Sequence, residues 1–516
     1  MSKSDGPGAK KILLAGYFGF DNTGDEAILG VLLEDLRSKL GDFEIVVASG
    51  KPEETSATHG VKSVSYTNIS GLISEVESSS AVMFGGGGIF HDYWGCDPDL
   101  SLTNQHTGIA YYHSLVLLAA LLEKPLVISA VGVGPLLSEA GRKYTRMAFE
   151  QASQASVRDQ ESKELLVSAG VDPDHVKVSA DHAFRVLPIP SDQAEVILQA
   201  NGLAPSSQLL IGVTPREWHI GASVEQWGGE VAAALDDLIE RQEATVMFLP
   251  FQCLESDLTN DYFVSLMIRS YMRHQERAIV LTGNYTVQEK AGLLAQCDVV
   301  LGMRLHSIIF AANAGVPTVA LAYDPKIESV MKQLKCEEFA VAIDALEASK
   351  LVERIIQARR DSADLRERLL LATRELAVSA RENNLCMLDW LQGETESRFT
   401  LGPEQVRLAA RNAISLVNDR GKMINSVSAE LAEKESVIVE RDKSIKWLQD
   451  ELAKKESIIV ERDKSIKWLQ DELVTKESII VERDKSIKWL QDELVSKESI
   501  IVERDKSIKW LQDELV

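Results

Sequence analysis

Short apolar runs alternate with helical patterns from residue 11 onward. Each run ends near a glycine, and the segments between the runs repeat apolar residues at helical spacing. This alternation predicts parallel β-sheets that are covered by helices. The strand candidates of the first series are KILLAG (11–16), EIVVAS (44–49), AVMFGG (81–86) and PLVISAVG (125–132).

A second series of strand candidates follows the proline-containing stretch VLPIPSD (186–192). We therefore predict an α/β protein with two Rossmann-like domains that face one cleft. The N-terminal domain covers 11–188 and the C-terminal domain covers 189–400, after a flexible N-terminus at 1–10. Loops at the carboxyl ends of the strands are expected to bind ligands. The second series comprises LLIGVTP (209–215), ATVMFLPF (244–251), AIVLTG (278–283), DVVLGM (298–303) and PTVALAY (317–323).

The end of the chain has a different pattern. The segment ERDKSIKWLQDEL occurs four times with a period of 21 residues, which equals three heptads. Every seventh residue from Leu431 to Leu515 is Ile or Leu. The residue three positions after each of them is Leu in only one heptad of three and is Lys or Arg in the other two, which weakens the seam of a coiled coil. We predict a helical linker at 401–430 and a coiled coil at 431–516. A single solvated helix held by internal ion pairs is the alternative.

Composition and charge restrict the class of protein. The 516 residues are 45% hydrophobic and 26% charged, which is typical of folded globular chains. The net charge is -23, and because opposite charges nearly cancel in 440–516, the excess acid lies upstream. An acidic protein repels nucleic-acid phosphates, so no nucleic-acid partner is expected.

The cysteines and the N-terminus indicate a reducing compartment. The five cysteines are scattered, with no CxxC pair and no histidine at zinc-site spacing, so we expect reduced thiols and no metal site. The first apolar run, Ile12 to Ala15, is too short for a signal peptide or a membrane span. We therefore expect a cytoplasmic protein, and any envelope sugar that it modifies should be a cytoplasmic precursor.

The segment GYFGFDNTGDEAIL (16–29) joins the first strand to the first helix. Asn22, Gly24, Asp25 and Glu26 are binding candidates here, because glycines allow close approach of the backbone and a helix N-terminus offers unpaired N–H groups. The two carboxylates suit the helix dipole and oppose a phosphate. They either cap the helix or recognise sugar hydroxyls.

Two further loops follow first-domain strands. In GGGGIFHD (85–92), Gly86 and Gly87 are candidates for close approach to a ligand, although a tight strand-to-helix crossing also explains the glycines. His91 and Asp92 either bind or pack locally. In SVRDQES (156–162), Arg158 is a binding candidate; a surface ion pair with Asp159 at a helix start is the alternative.

Second-domain strands are followed by cationic residues. Arg216 follows its strand directly in GVTPREWH (212–219), where an arginine can hold a carboxylate or phosphate. In GMRLHS (302–307), Arg304 and His306 are two residues apart, so in an extended segment both side chains point into the cleft. Lys326 in AYDPK (322–326) is a further candidate, with a turn built on Asp-Pro as the alternative.

Together these motifs, with GVGP (132–135) and SADHAF (179–184), resemble the polysaccharide pyruvyl transferases, nearest to their cell-surface-anchoring CsaB-like branch. The resemblance implies a two-domain fold like that of GT-B glycosyltransferases. It also implies transfer from phosphoenolpyruvate to form a pyruvate ketal on a sugar of a cell-envelope polysaccharide. By position, Arg216 matches the family's second-domain arginine, and Arg304 and His306 match its Arg-x-His. His182 stands where a proline is common, and the repeated tail lies outside the family's usual domain.

The implied chemistry suits the residues. Two arginines can hold the phosphate and the carboxylate of phosphoenolpyruvate, while His306 moves protons near neutral pH. Phosphoenolpyruvate is then a donor substrate, and no cofactor is expected. The acceptor is a sugar, free or lipid-linked. Two alternatives remain: a nucleotide-sugar-dependent GT-B glycosyltransferase, and a coiled-coil scaffold with an inactive enzyme domain.

The tail has its own expected partners. The Ile and Leu stripe predicts pairing with a second copy of the chain or with a partner helix. The tail tryptophans pack beside this pairing, or contact the inner face of a membrane next to their neighbouring lysines. These tryptophans are Trp447, Trp468, Trp489 and Trp510.

Overall fold

The computed structural model describes residues 10–104, 107–203, 209–218, 220, 223–253, 260–393 and 403–514. Most side chains between 403 and 460, and those of Ser465 and Leu469, lie outside this description. The predicted flexible N-terminus falls outside it as well, except for Lys10, and so does the start of the predicted linker at 401–402.

The first sheet has seven parallel strands in the order β3-β2-β1-β4-β5-β6-β7. Its central strands are apolar and fully buried because helices cover both faces. The strands are β1 (Lys11–Ala15), β2 (Glu44–Ser49), β3 (Lys62–Ser65), β4 (Ala81–Gly85), β5 (Leu126–Val131), β6 (Gln154–Val157) and β7 (Val176–Val178).

The second sheet has six parallel strands in the order β10-β9-β8-β11-β12-β13. Its strand order also reverses around the first strand, as in doubly wound folds. The strands are β8 (Leu210–Thr214), β9 (Thr245–Phe248), β10 (Ala278–Val280), β11 (Val299–Gly302), β12 (Thr318–Ala322) and β13 (Ala340–Ala342).

The helices follow the strands in sequence and pack on the sheet faces. Several begin at side-chain caps, including the reciprocal capping boxes at Ser223 and Thr286. The helices are α1 (Thr23–Lys39), α2 (Pro52–His59), α3 (Ile69–Ser78), α4 (Gly108–Leu121), α5 (Glu139–Gln151), α6 (Gln160–Ser168), α7 (Ser191–Ala200), α8 (Val224–Gln242), α9 (Asp261–Tyr271), α10 (Val287–Ala295), α11 (Leu305–Asn313), α12 (Pro325–Gln333), α13 (Ala348–Arg360), α14 (Ser362–Gln392) and α15 (Pro403–Glu514).

The predicted α/β class with two parallel sheets is confirmed, and every strand candidate of both series is a strand. Four strands were not predicted: β3, β6, β7 and β13. They have only three or four residues, and three of them lie at sheet edges where their side chains are partly exposed. A short strand with an exposed face has no continuous apolar run that sequence analysis could detect.

Helix α14 returns to the first sheet, although its residues fall in the range predicted for the second domain. Met387, Leu388 and Leu391 pack in the same core as first-sheet residues. The Asn384 amide donates to Asp35 of α1 over 2.8 Å. The first half of α14 packs in the core of the second domain through Leu365 and Leu369, so this helix spans both domains.

The chain from Val417 onward forms a separate unit that consists of helix α15 over its described length. The predicted linker and the predicted repeat region are thus both helical where they are described. Within the described residues, no helix is long and apolar enough to cross a membrane.

Candidate functional site

The first turn of α1 contacts the loop after β9 and so joins the two domains. Thr23 donates from its backbone N–H and from its hydroxyl to the carbonyl of Phe251, at 2.9 Å and 2.6 Å. Asn22 forms an isolated β-bridge with Gln252. The loops after β4 to β7 of the first domain and after β8, β11 and β12 of the second domain lie on one side of this contact. The loops after β2 and β10 lie on the other side. The interdomain cleft therefore has two parts.

His306 lies in the first part of the cleft, against the start of α1. A Cβ atom on Gly24 would lie 1.7 Å from Nδ1 of His306, so only glycine allows the imidazole this position. Nε2 of His306 lies 3.7 Å from the buried carboxylate of Asp181, which is too far for a hydrogen bond but close enough for strong attraction to an imidazolium. Asp181 was not singled out in the sequence.

Arg158 supports the same carboxylate. Its Nη1 donates to Asp181 over 3.1 Å, and its Nε lies 3.4 Å from Asp159, which caps α6. The guanidinium packs directly on Gly132, where a Cβ would lie 2.7 Å away. The alternative, in which Asp159 starts a helix and pairs with Arg158, is also present, but the pair is not on the surface, because Arg158 is only 6% exposed at the cleft end of β6. Although burial opposes ionisation, His306 and Arg158 keep the pKa of Asp181 well below its ordinary value.

Asp25 points into this cluster, next to Gly87. Gly86 and Gly87 adopt left-handed backbone conformations, and a Cβ on Gly87 would lie 2.7 Å from Oδ1 of Asp25. Burial raises the pKa of Asp25 to about 6, against the attraction of His306. A carboxyl group that is partly protonated near neutral pH can act as an acid or a base.

Asn22 and Glu26 have local roles. The Asn22 side chain accepts from the backbone N–H of Gly24 and so caps α1. Glu26 accepts from the backbone N–H of Gly19 over 2.7 Å, and its other oxygen lies 3.4 Å from His59. From the sequence, the polar residues at the start of α1 could either cap the helix or recognise a ligand. In the structure Asn22 caps the helix, and Asp25, not Glu26, faces His306, Asp181 and Arg158.

Arg216 lies in an aromatic cluster at the same end of the cleft. Its Nη1 donates to the Tyr323 hydroxyl over 2.8 Å, and its guanidinium carbon lies 5.4 Å and 5.1 Å from the rings of Trp218 and Tyr323. Burial opposes ionisation of Tyr323, but the charges of Arg216 and Lys326 lower its pKa. This arrangement holds the arginine rigidly at the cleft.

A contact between the domains closes the aromatic cluster. The Tyr93 hydroxyl, from the loop after β4, donates to Asp324 over 2.6 Å, and the Tyr93 ring packs edge-on against Trp218 at 5.1 Å. Asp324 caps α12 and pairs with Lys326 over 2.9 Å. The turn given as the alternative at Asp-Pro is instead the start of a helix, with Asp324 as its cap and Pro325 as the first residue of α12, and Lys326 lies at the cleft beside it.

Four buried nitrogen atoms around these clusters lack a hydrogen-bond partner among the described residues. One lies in the loop after β4 of the first domain, two lie in the loop after β8, and the fourth lies in the first turn of α11. Leaving such groups unpaired costs on the order of 1–3 kcal/mol each, so their convergence indicates a site for a polar ligand. Burial and the charge of Lys326 lower the pKa of His91 to about 4, which keeps this ring neutral. The four atoms are Nε of Arg216, Nε1 of Trp218, Nδ1 of His91 and Nε2 of His306.

Arg304 does not share an extended segment with His306, so that prediction is wrong. Helix α11 begins at Leu305, with Arg304 as its cap residue and His306 in its first turn. The Arg304 guanidinium is buried and donates from Nε to Asp261 over 2.9 Å, with a second contact from Nη2. Asp261 also accepts from the backbone N–H groups of Phe251 and Gln252. The two side chains therefore diverge at the start of α11, because a helix turns successive residues by about 100°.

The second part of the cleft is a groove of about 1150 Å³. It contains neither Asp25 nor His306. Acidic and basic residues line it, together with threonine and tyrosine residues, which suits a ligand rich in hydroxyl groups. Its charged residues are Asp21, Glu26, Glu34, Lys51, Glu54, Arg185 and Lys290.

The five cysteines are all free thiols, in agreement with the sequence. In the described part of the chain, no three His, Cys, Asp or Glu side chains are arranged to hold a metal ion.

Most of the predicted site residues thus fall into two clusters, while Arg304 binds Asp261 and Glu26 lines the groove. Asp25, Arg158 and His306 form the first with the two glycines, and Arg216 and Lys326 belong to the second. Sequence reasoning missed Tyr93, Trp218, Asp181 and Asp261. Asp181 lies within the SADHAF motif and Trp218 within GVTPREWH, so the motifs could have indicated both residues. No local pattern indicates Asp261, because its partner Arg304 lies 43 residues away in the sequence.

Comparisons with solved structures agree with this architecture. The fold matches Alr3699/HepE from Anabaena, solved with UDP-glucose, at a TM-score of 0.52, with 15% identity and coverage of 73% of this chain and 99% of that chain. A UDP-N-acetylglucosamine 2-epimerase of Listeria monocytogenes, described as putative in its crystal structure, matches at 0.52, with 14% identity over 76% and 99% of the two chains. The fold is therefore the GT-B-like arrangement of two Rossmann-like domains.

The family can be assigned within this class. The model of the family described as polysaccharide pyruvyl transferase matches residues 22–325, more than half of the chain. The chain belongs to the polysaccharide pyruvyl transferase family. The amylovoran biosynthesis protein AmsJ of Erwinia amylovora is 26% identical over 286 residues, which cover 54% of this chain and 66% of that protein. The chain thus spans slightly less than two thirds of this relative. The family prediction is confirmed, while the assignment to the CsaB-like branch stays a prediction.

Proposed function

We propose that this protein transfers the carboxyvinyl group of phosphoenolpyruvate to a sugar of a cell-envelope polysaccharide precursor and closes a pyruvate ketal. Family membership supports a transferase that modifies polysaccharides. The observation that carries the finer proposal is that the buried nitrogen atoms of Arg216 and Trp218, which lack a partner among the described residues, follow β8, while the acid–base group His306 follows the adjacent strand β11.

The donor has two anionic groups, and the cluster offers cations for both. Arg216 and Arg304 are the proposed ligands of the phosphate and the carboxylate, with Lys326 as additional positive charge. Arg304 uses Nε and Nη2 on Asp261, which leaves Nη1 to face the donor. Asp261 thus acts as a positioning residue that orients this guanidinium.

The reaction balances with the groups at hand. C3 of phosphoenolpyruvate gains a proton, two sugar hydroxyls form bonds to C2, and the bond from C2 to the phosphate oxygen breaks. One hydroxyl proton replaces the proton given to C3, and the other leaves with inorganic phosphate. We assign delivery to C3 to Asp25 and removal from the hydroxyl to His306, whose imidazolium the Asp181 carboxylate stabilises.

The acceptor is a sugar, free or lipid-linked, and the protein acts in the cytoplasm, where the inner face of the membrane would supply a lipid-linked precursor. Phosphoenolpyruvate is a substrate in this proposal, and no cofactor is required.

The test is an assay of purified protein with phosphoenolpyruvate and a panel of lipid-linked and nucleotide-linked sugars. We expect phosphate release that depends on the acceptor, and a ketal in the product by NMR. His306→Gln should reduce turnover by about two to four orders of magnitude, because glutamine cannot move protons near neutral pH. Release of a nucleoside diphosphate without consumption of phosphoenolpyruvate would establish the glycosyltransferase alternative instead, and inactivity with every acceptor would leave the scaffold alternative.

A further inference from the structure

Helix α15 carries an uncovered apolar stripe. At every seventh position of its described part an Ile or Leu side chain is about half exposed. A stripe of this length in water is unfavourable, and burial against another helix removes it. The stripe comprises Ile466, Leu473, Ile480, Ile487, Leu494, Ile501 and Ile508.

The second seam position, three residues after each stripe residue, is mostly basic. It is Leu at 490 and 511, and Lys or Arg at 476, 483, 497 and 504. Two of these lysines are already neutralised within the helix: Lys476 pairs with Glu472 over 2.9 Å and Lys497 with Glu493 over 3.0 Å. Each basic seam residue is also followed directly by an acidic residue, such as Glu477 after Lys476 and Asp484 after Arg483.

We propose that the tail pairs with the tail of a second copy of this chain as a parallel, in-register, two-stranded coiled coil. In that arrangement the stripe residues of both chains face each other in every layer. Each basic seam residue inserts into a hole that contains the partner's acidic flanking residue. Identical basic residues of the two chains also share a layer in this arrangement, and the acidic flanking residues of the partner offset their mutual repulsion.

The antiparallel arrangement lacks this complementarity. There each stripe residue would lie opposite the second seam position of its partner, which is Lys or Arg in two heptads of three. The residue before each stripe residue and the residue after each second seam residue are acidic or uncharged in most heptads. In an antiparallel pair these flanking residues would face their counterparts in the partner helix, without a basic residue between the two flanks to pair with. If the two parallel helices were shifted by one 21-residue unit, each layer would still contain the same residue types. The shifted pair would lose the contacts of one whole unit, so the unshifted alignment is the more stable one.

The tail tryptophans lie outside this seam. Trp468, Trp489 and Trp510 are each about 60% exposed, two positions after a stripe residue. They face away from the partner helix in a two-stranded pair, so the pairing does not depend on them.

The molar mass of the full chain tests the pairing. We expect light scattering to give twice the chain mass of 56.9 kDa. Ile480→Asp with Ile501→Asp should halve this mass. Val481→Asp with Val502→Asp is a matched control, because it places the same charges one residue further on, at side chains that are 53% and 52% exposed, and it should leave the dimer intact. A monomeric full chain, including one that binds anionic vesicles as a monomer, would overturn the proposal, as would a trimer or tetramer.

Cross-linking tests orientation and register. In the full chain with Cys253→Ser and Cys386→Ser, which removes the exposed thiols, Leu490→Cys lies at the seam and should form a covalent dimer on mild oxidation. Trp489→Cys on the outer face should not. Failure of Leu490→Cys to cross-link in a chain that is dimeric by mass would exclude the parallel in-register arrangement. Both measurements are independent of catalysis, so they stand apart from the proposed activity.

Discussion

His306 and Gly24 are in direct contact across the two domains, and the imidazole occupies the space that any side chain at position 24 would need. The glycine therefore sets the position of the proposed proton carrier. This contact places the His306 imidazole against the start of α1, within reach of both Asp25 and Asp181.

Gly24→Ala should displace His306 and reduce turnover by about one to two orders of magnitude, because small misplacement of a catalytic group is costly. Gly30→Ala is the matched control on the same helix, since nothing lies within 4 Å of its added methyl group. That variant should keep full turnover and gain about 0.5–1 kcal/mol of stability from helix propensity. Equal activity of both variants in the phosphate-release assay would remove Gly24 from the site.

Asp25→Asn should abolish turnover yet stabilise the fold at neutral pH. The pKa of Asp25 in the folded protein, about 6, lies above its ordinary value of 3.8. The free energy of unfolding therefore decreases as the pH rises from about 4 to about 6, because the unfolded chain releases this proton more readily. Asparagine does not ionise, and the variant should gain about 2–3 kcal/mol at pH 7. Thermal melts at several pH values check this result: the gain should vanish below about pH 4. A constant difference at every pH would contradict the buried-acid assignment.

Arg216→Ala should raise the KM for phosphoenolpyruvate by about ten- to one hundred-fold, because a charge-assisted, preoriented contact with the donor is lost. Titration calorimetry with phosphoenolpyruvate alone measures the same loss without turnover. Lys350→Ala removes an exposed cation elsewhere in the second domain and is the control, with donor affinity unchanged. Wild-type affinity in Arg216→Ala would exclude this arginine as a donor ligand.

Asp261→Asn should both destabilise the protein and weaken donor binding. Removing the buried partner of Arg304 leaves an uncompensated charge, which costs about 3–5 kcal/mol. Asp237→Asn breaks a surface pair with Arg241 and should change stability by less than about 1 kcal/mol. If Asp261→Asn lowers stability but leaves the KM for phosphoenolpyruvate unchanged, Arg304 is structural only.

Much of the fold followed from local pattern. The buried strands are continuous apolar runs because both faces of a parallel sheet are covered, and the segments that follow β1, β8 and β11 carry Asp25, Arg216 and His306. The order of these motifs along the chain was also sufficient to indicate the family. Such features are readable because strand burial and helix capping depend on neighbouring residues.

The pairing of the site residues was decided only by the tertiary structure. The sequence determined that Arg304 and His306 follow a strand, but not that one binds Asp261 and the other contacts Gly24. The raised pKa of Asp25 and the return of α14 to the first sheet likewise come from contacts between segments distant in sequence. Burial and charge at a site are sums over neighbours in space, and only packing of the whole chain brings those neighbours together.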